Sequence, residues 1–281
     1  MIRTLIVAAL VALPSAALAQ PAPSPAPSPT PVPDICSGGL SAVVSRPTQT
    51  TSACVVNRNQ ILLETGYQSQ TVDSAGGSFT FSTVPNATIR IGTALRNVEF
   101  QVIPPTSIRS AGISAAGDAG AGLKWQIAST PAVAYGVNVI ATAPTGSDPA
   151  RSPNGLGSSN ASTYTYNANV QGSLGKVFGY GATFSVGSLA SAGTRYTSVI
   201  PSLDVTMSLP ASWTLAAEAF RVSNGEGPAT PSHTWFDVAA EKGVGNVQFD
   251  LSYGLSNRVV PVPGAPGVRH SYVGFGLSVL R

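Results

Sequence analysis

Charge is what this sequence has least of. Asp, Glu, Lys and Arg make up 10% of its 281 residues, against about 25% in an ordinary soluble domain. That is thin cover for a water-facing surface. The signs nearly cancel as well: without Arg3, which an N-terminal leader would remove, 14 Lys and Arg face 12 Asp and Glu, a net +2. So weak a basic balance argues against a nucleic-acid partner. Long apolar runs are missing too. The best one, Leu5 to Leu13, falls short of the roughly 20 residues a spanning helix needs. Cysteine and histidine are two apiece: Cys36, Cys54, His233 and His270. Their wide spacing gives no zinc motif, so no metal and no cofactor are expected. There is no G-x-S-x-G elbow, and no stretch of helical period.

What is present begins with a leader. MIRTLIVAALVALPSAALAQ has a basic start, a short apolar region and the triplet Ala17-Leu18-Ala19, the pattern of a secretory signal peptide over residues 1–19. No cysteine follows the cleavage site closely, so a lipoprotein is not expected. Residues 20–34, QPAPSPAPSPTPVPD, read as a stiff, solvated polyproline spacer. In residues 35–59 the two cysteines predict a Cys36–Cys54 disulfide, because an exported chain meets an oxidising compartment; two unpaired thiols are the alternative. Leu40 to Val44 could make one helical turn.

From residue 60 the period changes to two. Windows at 60–72, 79–93, 97–104, 118–128, 132–144, 162–174, 177–188, 195–209, 213–223, 232–242, 246–257 and 269–280 alternate in character, at about the length of a tilted membrane strand. Tight turn-rich links alternate with mostly longer ones at 73–78, 105–117, 145–161, 189–194, 224–231 and 258–268. In VQFDLSYGL, Val247, Phe249, Leu251, Tyr253 and Leu255 share one face, while Gln248, Asp250, Ser252 and Gly254 share the other. The final HSYVGFGLSVLR separates Val273, Phe275, Leu277 and Val279 from Tyr272, Gly274, Gly276 and Ser278 in the same way. The polar face is rich in Gly, Ser, Thr and Asn. The apolar face carries Trp125, Tyr135, Tyr164, Tyr166, Tyr180, Trp213 and Tyr253, as an interfacial girdle would. An open sheet in lipid would leave its edges unpaired. The expected fold is therefore all-β, a closed antiparallel transmembrane β-barrel of about 12 strands over 60–281, with short periplasmic turns and longer extracellular loops. A secreted β-sandwich on a proline-rich stalk shares the alternation and is the other fold considered.

In this assignment Glu64, Arg90, Glu99, Lys124, Asp204, Glu218, Asp237, Glu241 and Asp250 point into the lumen and are the selectivity candidates. Seven acids against two bases favour cations if the pore conducts ions. A channel or transporter for small solutes, in the outer membrane of a Gram-negative bacterium, is the function expected. A filled, non-conducting barrel is the alternative, since about twelve strands leave only a narrow lumen. Residues 35–59 precede the first strand and could fold into the mouth as a plug, or remain a loose periplasmic knot. Arg109, Arg151, Arg195, Arg258 and Arg269 gather at the long-link rim, where lipopolysaccharide phosphate is a possible ligand; ordinary solvated loop charge is the plainer reading. An outer-membrane lipid hydrolase would need His233 or His270 as general base. Both fall on the lumen face, so no enzyme is expected.

The stretch DAGAGLKWQIASTPAVAYGVNVIATAPTGSDP, residues 118–149, resembles the "meta-pathway of phenol degradation" family of outer-membrane barrels. Asp118, Gly-Leu-Lys at 122–124, Pro131, Ala-Pro-Thr-Gly at 143–146, and Pro-Asn at 85–86 with Arg90 carry the resemblance, which spans about 60–281. It implies a transporter-like barrel for small solutes, aromatic or otherwise hydrophobic ones among them, without defined binding residues. The last strand also resembles the C-terminal signal read by the bacterial barrel-assembly machinery, through Tyr272, Gly274, Leu277 and Val279. It departs from that signal in ending on Leu280-Arg281 rather than an aromatic residue.

Overall fold

The computed structural model of the chain describes residues 33–148, 157–191, 194–224, 231–260 and 267–281. The signal peptide, nearly all of the proline spacer and Arg151 lie outside these residues. Pro33–Arg281 form one unit, and it holds every strand.

Period-two alternation gives β1 Ile61–Ser74, β2 Gly77–Val84, β3 Thr88–Gly92, β4 Val98–Ile103, β5 Ser107–Ser110, β6 Ile113–Ala116, β7 Ala119–Ser129 and β8 Val133–Ala143. It continues through β9 Thr163–Leu174, β10 Phe178–Ser191, β11 Thr194–Leu209, β12 Trp213–Val222, β13 His233–Val244, β14 Val247–Ser256 and β15 Arg269–Leu280. Neighbours pair antiparallel throughout. Three of the staves are interrupted: β2 with β3, β4 with β5, and β6 with β7, so the segments make a 12-strand barrel. It closes where β1 meets β15, in register from Leu62↔Leu280 to Asp73↔Arg269. Closure removes the sheet edge and with it the sandwich alternative.

Two of the interruptions fall at prolines, Pro85 and the Pro104-Pro105 pair, which cannot donate to a ladder. Residues 105–117, expected as a long link, are instead largely the hairpin β5–β6, which extends two staves past the rim and pairs with β2. Its turn is Ala111-Gly112, both with positive φ (49° and 80°), the backbone of a tight primed turn. The link at 73–78 shortens similarly, since β1 and β2 run to the turn at Ala75-Gly76. Long links on this rim are thus fewer than expected: 144–162, 223–232 and 257–268.

The burial order of a soluble protein is reversed. On β7, Leu123, Trp125 and Ile127 are about half exposed, while Lys124 between them is 1% exposed. Along β15, Val273 and Phe275 face out and Gly274, Gly276 and Ser278 are buried. Tyr180 is the one girdle residue half covered, because its ring lies over Gly172 of the neighbouring strand, leaving no room there for a Cβ. An outward face this apolar belongs against lipid. Leu251→Arg, midway along β14, should therefore destabilise the barrel in lipid vesicles by about 2–4 kcal/mol, measured by denaturant unfolding. Leu251→Phe should be nearly neutral. Equal stability of the Arg variant would mean that this face meets water.

Inside, the apolar core is small and lies near the rim where β1 begins and β15 ends. Leu62, Ala134 and Leu280 from the wall pack against Leu40, Val43, Ala53, Cys54 and Val56. The last five belong to the chain before β1, so that segment runs within the barrel.

Candidate functional site: the barrel lumen

The segment is built from short pieces. Asp34 caps a single 3-10 turn, Ile35–Ser37, accepting from the Cys36 amide at 2.8 Å. One helical turn follows, Leu40–Val43, and a Cys36–Cys54 disulfide closes the loop. The Ile35 amide donates to the Thr130 carbonyl at the β7–β8 turn (3.0 Å). Beyond Val43 the backbone is irregular, with bends at 47–50, and a buried irregular backbone must find partners for its amides.

Inward side chains of the barrel supply them. Glu64 accepts from the Ser45 amide (2.6 Å). Glu218 accepts from the amides of Gln49 (2.7 Å) and Thr50 (2.6 Å) and from the Thr50 hydroxyl. Thr183 accepts from Thr51, Gln171 from Ala53 and Glu99 from Val56, at 2.7–2.9 Å. The Gln126 carbonyl takes the Val55 amide more loosely, at 3.3 Å. Glycines let the wall come close: a Cβ on Gly136 would lie 2.5 Å from the Ala53 carbonyl oxygen, and one on Gly92 would overlap the Asn57 carbonyl.

All nine lumen candidates face inward; eight are buried and Glu241 is half-buried. They form two groups. In the first, Arg90 binds Glu99 through two bonds of 2.7 and 3.0 Å and reaches Glu64 at 3.4 Å. It also donates to the carbonyls of Val43 and Cys54 in the segment. Lys124 stands opposite Glu99 in the β4–β7 register. Two cations here balance two acids.

The second group is nearly all acid. Asp204, Glu218 and Asp237 are successive cross-strand neighbours on β11, β12 and β13, and Glu241 faces Asp250 across β13–β14. The cation against this wall is Arg46, with Nε 3.6 Å from Asp250 Oδ2. Sequence reading missed Arg46, because it lies in a segment without periodicity.

Towards the opposite rim the lumen opens into a vestibule of about 420 Å³. Phe220 stacks on Trp235, which also contacts His270 and Tyr272; His233 meets His270 edge to face. Tyr272 donates to Asp237 at 2.6 Å, and Gln70 bonds His270 Nδ1 at 3.3 Å. The two histidines thus line the vestibule as part of an aromatic wall. Inward Phe220 and Trp235 were also missed. Alternation places them on the polar face, where aromatics run against pattern. On the terminal-rim side a second cavity, about 330 Å³, lies between the segment and β9–β13, with Asp204 and Glu241 in its lining. Among the described residues no cluster of His, Cys, Asp or Glu could hold a metal ion.

The rim arginines stand apart from the lumen. Arg109, Arg195 and Arg258 are exposed and Arg269 is half-buried. Arg258 donates to the Gly267 carbonyl at 3.0 Å. Asp118, one of the residues that carry the family resemblance, pins the link after β8: it accepts from the amides of Gly146 (3.0 Å) and Ser159 (2.9 Å).

No protein family matches the chain, and no curated protein matches it. Solved structures do. The COG4313 outer membrane channel from Pseudomonas putida F1 aligns with a TM-score of 0.60 at 15% identity, covering 84% of this chain and all of the other. The NanC porin (TM-score 0.49, 12% identity, 76% and 98% covered) and the CymD monoaromatic hydrocarbon channel (0.42, 10%, 80% and 88%) are more distant. At these identities the first comparison speaks to the fold alone, and the other two are too remote to add to it. What the chain shares with the first is the fold: a closed, antiparallel barrel of the outer-membrane type.

Proposed function

We propose that the protein is an outer-membrane channel for small solutes, with residues 35–59 forming a plug that narrows the lumen without filling it. The observation that carries this is the pair of cavities, one on each side of the segment, both lined by Arg46 and Thr48. A filled scaffold would have no need of a vestibule. The aromatic wall of Phe220, Trp235 and Tyr272 suits a flat, weakly polar solute, in keeping with the resemblance of residues 118–149 to the phenol meta-pathway barrels. Export by the N-terminal leader, insertion through the β15 signal and rim contacts from Arg109, Arg195, Arg258 and Arg269 to lipopolysaccharide phosphate complete the proposal.

Proteoliposome swelling in isosmotic solutes of graded size tests it. Slow swelling with the smallest solutes, falling away as size increases, is the expected result. No swelling with any solute would favour the non-conducting barrel. Solute class has its own readout: aromatic solutes should quench the tryptophan fluorescence, and Trp235→Phe should abolish the quenching, because Trp125 and Trp213 face outward. Undiminished quenching in that variant would remove the vestibule as the binding site.

A further inference from the structure

Arg46 occupies an unusual seat. Gly66 and Gly276 face each other across β1 and β15, and a Cβ on either would run into the Arg46 guanidinium group. The guanidinium therefore packs directly against a glycine patch of the wall that a side chain would fill. Asp250, with its side chain fully buried, stands 3.6 Å from Arg46 Nε, and Arg46 Nη1 reaches the Asn86 carbonyl at 3.5 Å. Beyond that ion pair, the neighbouring Gln248 Nε2 and Ser278 Oγ have no hydrogen-bond partner among the described residues. Unpartnered polar atoms gathered in one buried place point to a polar occupant that passes or resides there.

The seat lies where both cavities reach the segment. Arg46 lines the vestibule and also the cavity that contains Asp204 and Glu241. Arg90, on the strand beside β1, is already engaged by Glu64 and Glu99. Among the described residues Arg46 is thus the cation ion-paired to the five-carboxylate wall, with Lys176 lining the second cavity from the β9–β10 turn.

Resting on the channel reading above, we propose that Arg46 is the selectivity-determining residue of the passage. Fixed by Asp250 on the Gly66–Gly276 seat, it offsets the acidic wall at the junction of the two cavities and restrains the permeation of small cations. Carboxylates around a lumen favour cations, and a fixed guanidinium among them lowers that preference.

The test is the reversal potential of the full chain in planar bilayers under a KCl gradient, for wild type, Arg46→Ala, Arg46→Lys, Asp250→Asn and the Arg46→Ala/Asp250→Asn double variant. Removing a charge about 5 Å from a passing ion, at the dielectric of water, changes that ion's occupancy by about fourfold. Arg46→Ala should raise the K⁺/Cl⁻ permeability ratio by at least that factor. Arg46→Lys should stay near wild type, Asp250→Asn should lower the ratio, and the double variant should return towards wild type. Removing Arg46 leaves the buried Asp250 without its partner, so a retained β-sheet circular dichroism signal, rather than an unchanged unfolding transition, confirms that each variant folds. If wild type conducts and Arg46→Ala leaves the ratio unchanged, the inference is overturned while the channel stands. If wild type is silent and Arg46→Ala conducts, Arg46 bars the passage itself, and the inference holds in stronger form. If both are silent while the chain lacking 35–59 conducts, Arg46 is not the determinant. If all three are silent, the channel reading fails and takes the inference with it.

Discussion

Arg90→Ala is expected to cost the barrel about 3–5 kcal/mol, because removing one partner of a buried ionic group strands the others without compensation. Arg90 is 1% exposed and Glu99 fully buried, so water cannot replace the lost guanidinium. The variant leaves two buried carboxylates, Glu64 and Glu99, with Lys124 as the one cation of the cluster, and it also frees the Val43 and Cys54 carbonyls of the segment. Denaturant unfolding in lipid vesicles should show the loss. Combining Arg90→Ala with Glu64→Gln and Glu99→Gln should recover much of it, since neutral amides need no counter-charge. A loss below about 1 kcal/mol, the range of exposed ion pairs, would mean that this cluster is open to water.

Gly136→Leu should have the larger effect on transport. Gly136 faces the lumen on β8, where even one added carbon would lie 2.5 Å from the Ala53 carbonyl oxygen. Overpacking of this kind costs about 1–3 kcal/mol. The barrel ladder is closed, with a register shift between Gln126 and Ala128 opposite Gly136, whereas the segment meets the wall through side-chain hydrogen bonds alone at this level, so the segment is what should move. Expected are larger single-channel steps and new tryptic cleavage after Arg58. Ala168→Leu, on the outward face of β9, should change neither. If Gly136→Leu conducts as wild type does and resists trypsin, the wall has yielded instead and the segment is held more firmly than its bonds suggest.

Much of the barrel was legible because its physics has a period. Lipid on one face and a polar lumen on the other force alternation at every residue, so strand windows and the inward direction of nine charged side chains follow from parity alone. The disulfide was legible by count, with two cysteines in a chain read as exported. The hairpin β5–β6 was not: four-residue strands after Pro104-Pro105 are too short for a period to show. The path of residues 35–59 was left open between plug and loose knot, because backbone amides captured by distant carboxylates leave no trace in the sequence of the segment. Arg46 was invisible for the same reason, its seat being two glycines and an aspartate contributed by strands far along the chain. Three of the seven inward acids read as favouring cations are also acceptors for the segment: Glu64, Glu99 and Glu218 each take at least one of its amides.

The central claim is that the lumen is a passage narrowed by residues 35–59. Single-channel conductance in planar bilayers, comparing the full chain with one lacking those residues, tests it most directly, with a matching β-sheet circular dichroism signal as proof that both barrels are folded. Small discrete steps in the full chain and clearly larger ones after deletion are predicted. Equal conductance in the two would contradict the account.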